Sequence, residues 1–167
     1  MATMNNPIIE TAEQDIVIER ILDAPLQQVW RAWTEPERLK RWWGPKTFTA
    51  PVCKIDFRPG GKYHYCMRSP DGQDFWSTGV FREIVPFMRI VFTDSFADQQ
   101  GNVVPATYYG MGADIPSELL VTLIFEELEG SQTQLTLRHS GFPPGENSAM
   151  AQAGWNESID KLAESLK

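Results

Sequence analysis

The sequence holds few of the residues that usually announce a chemistry. Among 167 residues there are two cysteines, Cys53 and Cys66, and two histidines, His64 and His139. The cysteines lack metal-site spacing, and neither histidine falls in a metal or nucleophile motif. No nucleophile elbow, phosphate loop, dinucleotide fingerprint or zinc-protease helix occurs, so no catalytic residue, metal or cofactor is assigned. Positive charge is scarce: 15 basic residues face 22 acidic ones, for a net charge of −7. A nucleic-acid or anionic-membrane surface needs a dense cationic face, and both partners are excluded on that ground. No apolar run approaches the roughly 20 residues of a membrane span. The opening MATMNNPIIETAEQD lacks the basic start and apolar core of a signal peptide, so a cytoplasmic protein is expected. Residues 1–14 read as a flexible tail before one domain, 15–167.

Aromatic surface is what the chain has instead. The stretch WTEPERLKRWWGP, 33–45, carries three tryptophans. Before it, DIVIERIL alternates as a first strand over 15–22, and DAPLQQVWRAW places Leu26, Val29, Trp30 and Trp33 on one helical face. Thr34-Glu-Pro-Glu37 reads as a capping box opening a second short helix that ends at Gly44-Pro45. Trp42 and Trp43 point about 100° apart around that helix, which predicts Trp42 in the core and Trp43 at a cavity wall.

From residue 50 the period changes to two. Strands are predicted over 50–57, 61–68, 74–85, 87–96, 117–128 and 131–140, and short turns between most of them imply an antiparallel meander. In the first hairpin a Pro59-Gly60-Gly61 loop aligns Ile55 and Phe57 with Tyr63 and Tyr65. That register puts the two cysteines on opposite faces, as free thiols. Residues 97–116 have no clear period; with Tyr108, Tyr109 and Met111 they read either as an aromatic lid or as a disordered excursion. A last amphipathic helix, 147–166, carries Ala151, Trp155, Ile159, Leu162 and Leu166 as its stripe. The fold class is α+β. One long helix lies across a curved antiparallel sheet of about seven strands, and that geometry leaves an internal cavity.

The motifs VWRAWTEPERLKRWW, DFRPGGKYHYCM and AGWNESIDKL, in this order, resemble the SRPBCC superfamily, the helix-grip fold of START domains and birch-pollen allergens. Within it the chain is similar to the group named for homology to the activator of the heat-shock protein 90 ATPase. The resemblance implies an elongated cavity between sheet and long helix, suited to an apolar or aromatic small molecule. It also implies a co-chaperone role, which is not expected here, because the domain that engages the chaperone in the eukaryotic activator has no counterpart in this chain.

Trp43, Phe57, Tyr63, Tyr65, Met67, Trp76, Phe92, Tyr108, Met111 and Trp155 are the candidate ligand-binding residues. Flat rings offer stacking area, and phenol hydroxyls fix orientation. Ordinary core packing competes for each of them. His64 reads as a surface histidine. Asp71, Asp74, Glu83 and Glu118 could act as acids or bases, but read as solvated groups. The expected function is the binding of a hydrophobic or aromatic ligand. A cavity enzyme of cyclase, dehydratase or hydrolase type is the alternative, and a co-chaperone-like interaction module a third. A homodimer stays open.

Overall fold

The computed structural model describes residues 15–167; the expected tail, 1–14, lies outside the described residues. In chain order come β1 (Ile16–Leu22), α1 (Leu26–Thr34), α2 (Pro36–Leu39), β2 (Thr49–Ile55), β3 (Lys62–Arg68), β4 (Asp74–Val85), β5 (Arg89–Ala97), β6 (Leu119–Leu128), β7 (Gln132–Ser140) and α3 (Glu146–Ser165). The seven strands form one antiparallel sheet in the order β1-β7-β6-β5-β4-β3-β2. Consecutive strands pair from β2 to β7, and β1 closes the far edge beside β7. Sheet and helix together are the expected helix-grip arrangement, a curled half-barrel around α3.

Period-two alternation builds the inner face. In β6, Leu119, Val121, Leu123 and Phe125 are buried, and in β7 so are Thr133, Leu135, Leu137 and His139. Ile90 and Phe92 of β5 and Ile16, Ile18 and Leu22 of β1 continue that surface. A bulge between Phe81 and Glu83 breaks the register of the 12-residue strand β4, which adds local twist where the sheet curls.

The hairpin register differs from the sequence expectation by two residues. Ile55 faces Tyr63 and Cys53 faces Tyr65. Asp56 to Gly61 make a wider connection, in which the Asp56 amide donates to the Lys62 carbonyl and the Gly61 amide to that of Arg58. A slip of two keeps every side chain on its face. The two thiols are therefore free and buried, on opposite faces.

The capping box at Thr34 does not form. The Thr34 hydroxyl instead donates to the Trp30 carbonyl at 3.0 Å, and α2 starts behind Glu35 with Pro36 in its first turn. A proline at the first helical position needs no amide partner, so the helix begins without a side-chain cap. Trp42 is fully buried, and its indole N–H donates to the Ala32 carbonyl at 3.0 Å.

Two long cationic side chains pin α3. Arg20 of β1 donates to the Asn156 carbonyl at 3.1 Å and pairs with Asp160. Lys161 donates to the carbonyls of Gly44, Pro45 and Phe48 at 3.0–3.1 Å. Along the predicted stripe, Ile159 and Leu162 are fully buried while Ala151 and Trp155 are only partly so. The C-terminal half of α3 is packed. Its N-terminal half covers a hollow.

Candidate functional site

Two ends of the grip differ in how they are filled. At one end α1 inserts Trp30, whose ring meets Phe57 at 5.8 Å and Phe125 at 5.1 Å. Phe57, Phe81, Phe92 and Tyr63 continue this cluster with centroids 5.1–5.9 Å apart. Tyr63 stacks on Tyr65 at 4.3 Å. Rings at these spacings leave no room for a guest.

The other end holds a cavity of about 380 Å³. Its floor is the inner face of β3 to β7, contributing Met67, Phe75, Ser77, Asp94, Phe96, Leu119 and His139. Its roof is α3, with Met150, Ala151, Gly154, Trp155 and Ser158. One wall is the loop after α2, with Trp43, Gly44, Pro45 and Phe48. Gly44 holds this loop in place: its φ is +100°, and a Cβ there would come within 3.2–3.3 Å of Phe48 and Met67. The opposite wall is the segment between β5 and β6.

That segment is an ordered strap. The Asp98 carboxylate starts it by accepting from the amides of Asn102 and Gln100, both at 2.9 Å, and these bonds hold its pKa below the usual carboxylate value. A short 3₁₀ turn, Ala106–Tyr109, follows. There the Tyr109 hydroxyl accepts from the Trp76 amide at 3.0 Å and donates to the Ala97 carbonyl at 2.5 Å. Its ring packs on Phe75 and Phe96. Met111, Ile115 and Pro116 are thereby brought to the cavity wall.

Of the ten predicted residues, Trp43, Met67, Met111 and Trp155 meet at this cavity. Trp76 borders it between Phe75 and Ser77, but its ring stacks on His64 on the other face of the sheet, centroids 4.5 Å apart. Phe57, Tyr63, Tyr65 and Phe92 lie in the packed end instead. Tyr108 is 59% exposed at the strap surface, because the 3₁₀ turn directs Tyr109 inward in its place. His64 is half-buried, and its Nε2 lies 3.1 Å from the Asp98 carbonyl.

Two cavity residues escaped the sequence reading, and they carry its polarity. Among the described residues Asp94 supplies the one carboxylate of the wall, which contains no lysine or arginine. Asp94 Oδ1 accepts from the Tyr63 hydroxyl at 3.1 Å, which also lies 3.0 Å from the Thr93 carbonyl. Burial and the neighbouring Asp94 raise the Tyr63 pKa well above its ordinary value, so this phenol stays a donor. His139 is 4% exposed. The Trp155 indole N–H donates to His139 Nδ1 at 2.9 Å. An indole only donates, so Nδ1 accepts and the imidazole hydrogen sits on Nε2. Nε2 lies 3.1 Å from Asp94 Oδ2 but out of line, and that buried nitrogen makes no hydrogen bond among the described residues. The acids named from the sequence do other things: Asp74 pairs with Arg68, Glu83 with Arg89 and Glu118 with Arg82, while Asp71 accepts from the Ser69 hydroxyl.

The model of the family described as activator of Hsp90 ATPase homolog 1-like protein matches residues 23–167, and the chain belongs to that family, within the SRPBCC superfamily. A solved protein from Nitrosomonas europaea is similar at 28% identity, with 93% of this chain and 95% of that one covered and a TM-score of 0.73. One from Chromobacterium violaceum matches at 27% identity over 92% and 97% of the two chains, TM-score 0.76. The AHSA1 protein from Silicibacter pomeroyi, 24% identical over 91% and 96%, shares the fold with a TM-score of 0.74. No curated protein matches the sequence.

Proposed function

We propose that this protein binds an apolar or aromatic small molecule in the cavity beneath the N-terminal half of α3. One observation carries the reading. A hollow of about 380 Å³ is lined by Trp43, Phe48, Phe75, Phe96, Phe142 and Trp155, with one carboxylate and one imidazole set among them. Small-molecule sites have this character: concave, largely apolar, with a few polar groups that fix orientation. No helix among the described residues is long and apolar enough to cross a membrane, and the proposal places the protein in the cytoplasm.

Comparing two aromatic deletions tests the reading. Trp155→Ala removes wall, whereas Phe92→Ala removes a ring from the packed end. The first should change affinity for a hydrophobic probe with a small effect on melting. The second should lower stability by roughly 3–5 kcal/mol without a selective effect on binding. Equal effects of the two on binding would sink the assignment of the cavity.

A cavity enzyme is the second reading, and a specific observation supports it. Asp94 and His139 stand 3.1 Å apart at the cavity floor, with the Tyr63 hydroxyl donating to Asp94 from the packed end, an arrangement able to accept and return a proton. The interaction-module reading draws support from the family's name alone. A hollow interior weighs against it, since a scaffold for protein contact has no use for one.

A further inference from the structure

We infer that the guest carries a hydroxyl, a phenol or an alcohol, placed inward so that it bridges Asp94 and His139. This rests on the ligand-binding reading above and specifies the chemistry of the guest.

The inference starts from valence. His139 Nε2 bears a hydrogen because Nδ1 is occupied by the Trp155 indole donor. His139 lines the cavity, and its Nε2 is buried with no hydrogen-bond partner among the described residues. A buried unsatisfied donor is costly, and native structures seldom leave one without a purpose. Beside it, 3.1 Å away, Asp94 Oδ2 is an acceptor with no donor aligned on it, while Oδ1 is engaged by Tyr63. The wall therefore presents one free donor and one free acceptor side by side. A hydroxyl satisfies both, because it donates and accepts at the same atom.

Other heads fit less well. A carboxylate would meet the Asp94 carboxyl group with no lysine or arginine among the described lining residues to offset it. An ether accepts from His139 but cannot donate to Asp94. An ammonium donates to Asp94 and leaves the imidazole N–H without an acceptor. The rest of the guest should be apolar and partly flat, because Trp43, Phe75, Phe96 and Trp155 surround the space above the pair.

Four probes with a common skeleton test this on the intact chain: para-butylphenol, its methyl ether para-butylanisole, butylbenzene and para-butylbenzoate. Calorimetry gives each Kd. The phenol should bind about tenfold or more tighter than the anisole, as expected when a buried polar pair is left unmatched by an analogue. The benzoate should be weakest. Asp94→Ala should bring the phenol-to-anisole ratio close to one. His139→Gln, which keeps an N–H donor, should retain part of the preference. Wild-type protein that bound anisole and phenol equally, or benzoate best, would overturn the hydroxyl inference and leave the cavity reading standing, without recourse to any variant. Failure of all four probes to bind saturably would overturn both.

Discussion

Gly79 shows how much one atom decides. A Cβ at this position would fall 1.8 Å from the Thr93 carbonyl oxygen and 2.6 Å from the Tyr63 ring. The space it leaves lets Tyr63 cross β4 and reach the Thr93 carbonyl and Asp94. Gly79→Ala should therefore destabilise the protein by roughly 3 kcal/mol or more, measured by denaturant unfolding, because backbone on a neighbouring strand must move. The thiols make a second prediction. Burial pushes Cys53 up to about 12 and Cys66 up to about 11, from an ordinary 9.0. Folded pKa values above unfolded ones mean that the neutral thiols contribute stability fully below about pH 9, and lose it as pH climbs toward 12. Native protein near neutral pH should react slowly with a thiol reagent, unfolded protein at both sites, and the unreduced mass should show no disulfide.

The same scale explains what the sequence hid. Asp94 and His139 are 45 positions apart, since 139 − 94 = 45, and no local motif joins them. Only the pairing of Asp94 with Leu119 and of Val121 with His139 brings them to one floor. A weak signal was present: each is a polar residue on an otherwise apolar alternation, Ile90-Phe92-Asp94-Phe96 in β5 and Leu135-Leu137-His139 in β7. The tyrosines were conspicuous for the opposite reason. Aromatic bulk in a sequence does not tell a packed ring from a cavity wall; the insertion of Trp30 beside Phe57 decides it.

At the scale of elements, legibility followed period. Strands alternating on two faces could be placed to within two residues at each end, and the stripe of α3 runs as its spacing requires. Connections were harder to read because their geometry depends on tertiary partners. The strap between β5 and β6 is held by Tyr109 against Trp76 and Ala97, and nothing local marks that contact. The loop after α2 depends on Lys161, whose ammonium serves three carbonyls of that loop. Burial lowers the Lys161 pKa, with Glu157 opposing that shift, so the loop contacts hold a partly desolvated cation in place. Lys161→Met should loosen the cavity wall and cost about 1–3 kcal/mol of stability, since those carbonyls lose a charged donor. Faster amide exchange over 44–48 than in wild type would accompany the loss; unchanged exchange there would show that the loop holds itself.

For the whole molecule, the division of the grip into a filled end and a hollow end is the central claim. Aromatic packing around Trp30 fills one end, and the hollow beneath Ala151, Gly154 and Trp155 is the proposed site. Filling that hollow without touching the packed end isolates the claim. Ala151→Trp puts an indole into the cavity from a helical position that tolerates it. The deciding measurement is a titration of wild-type and Ala151→Trp protein with a hydrophobic aromatic library, read by calorimetry beside a melting curve. Saturable binding by wild type, lost in a variant that melts at a similar temperature, is the predicted result. Equal binding by the filled variant, or no saturable binding to wild type across the library, would contradict it.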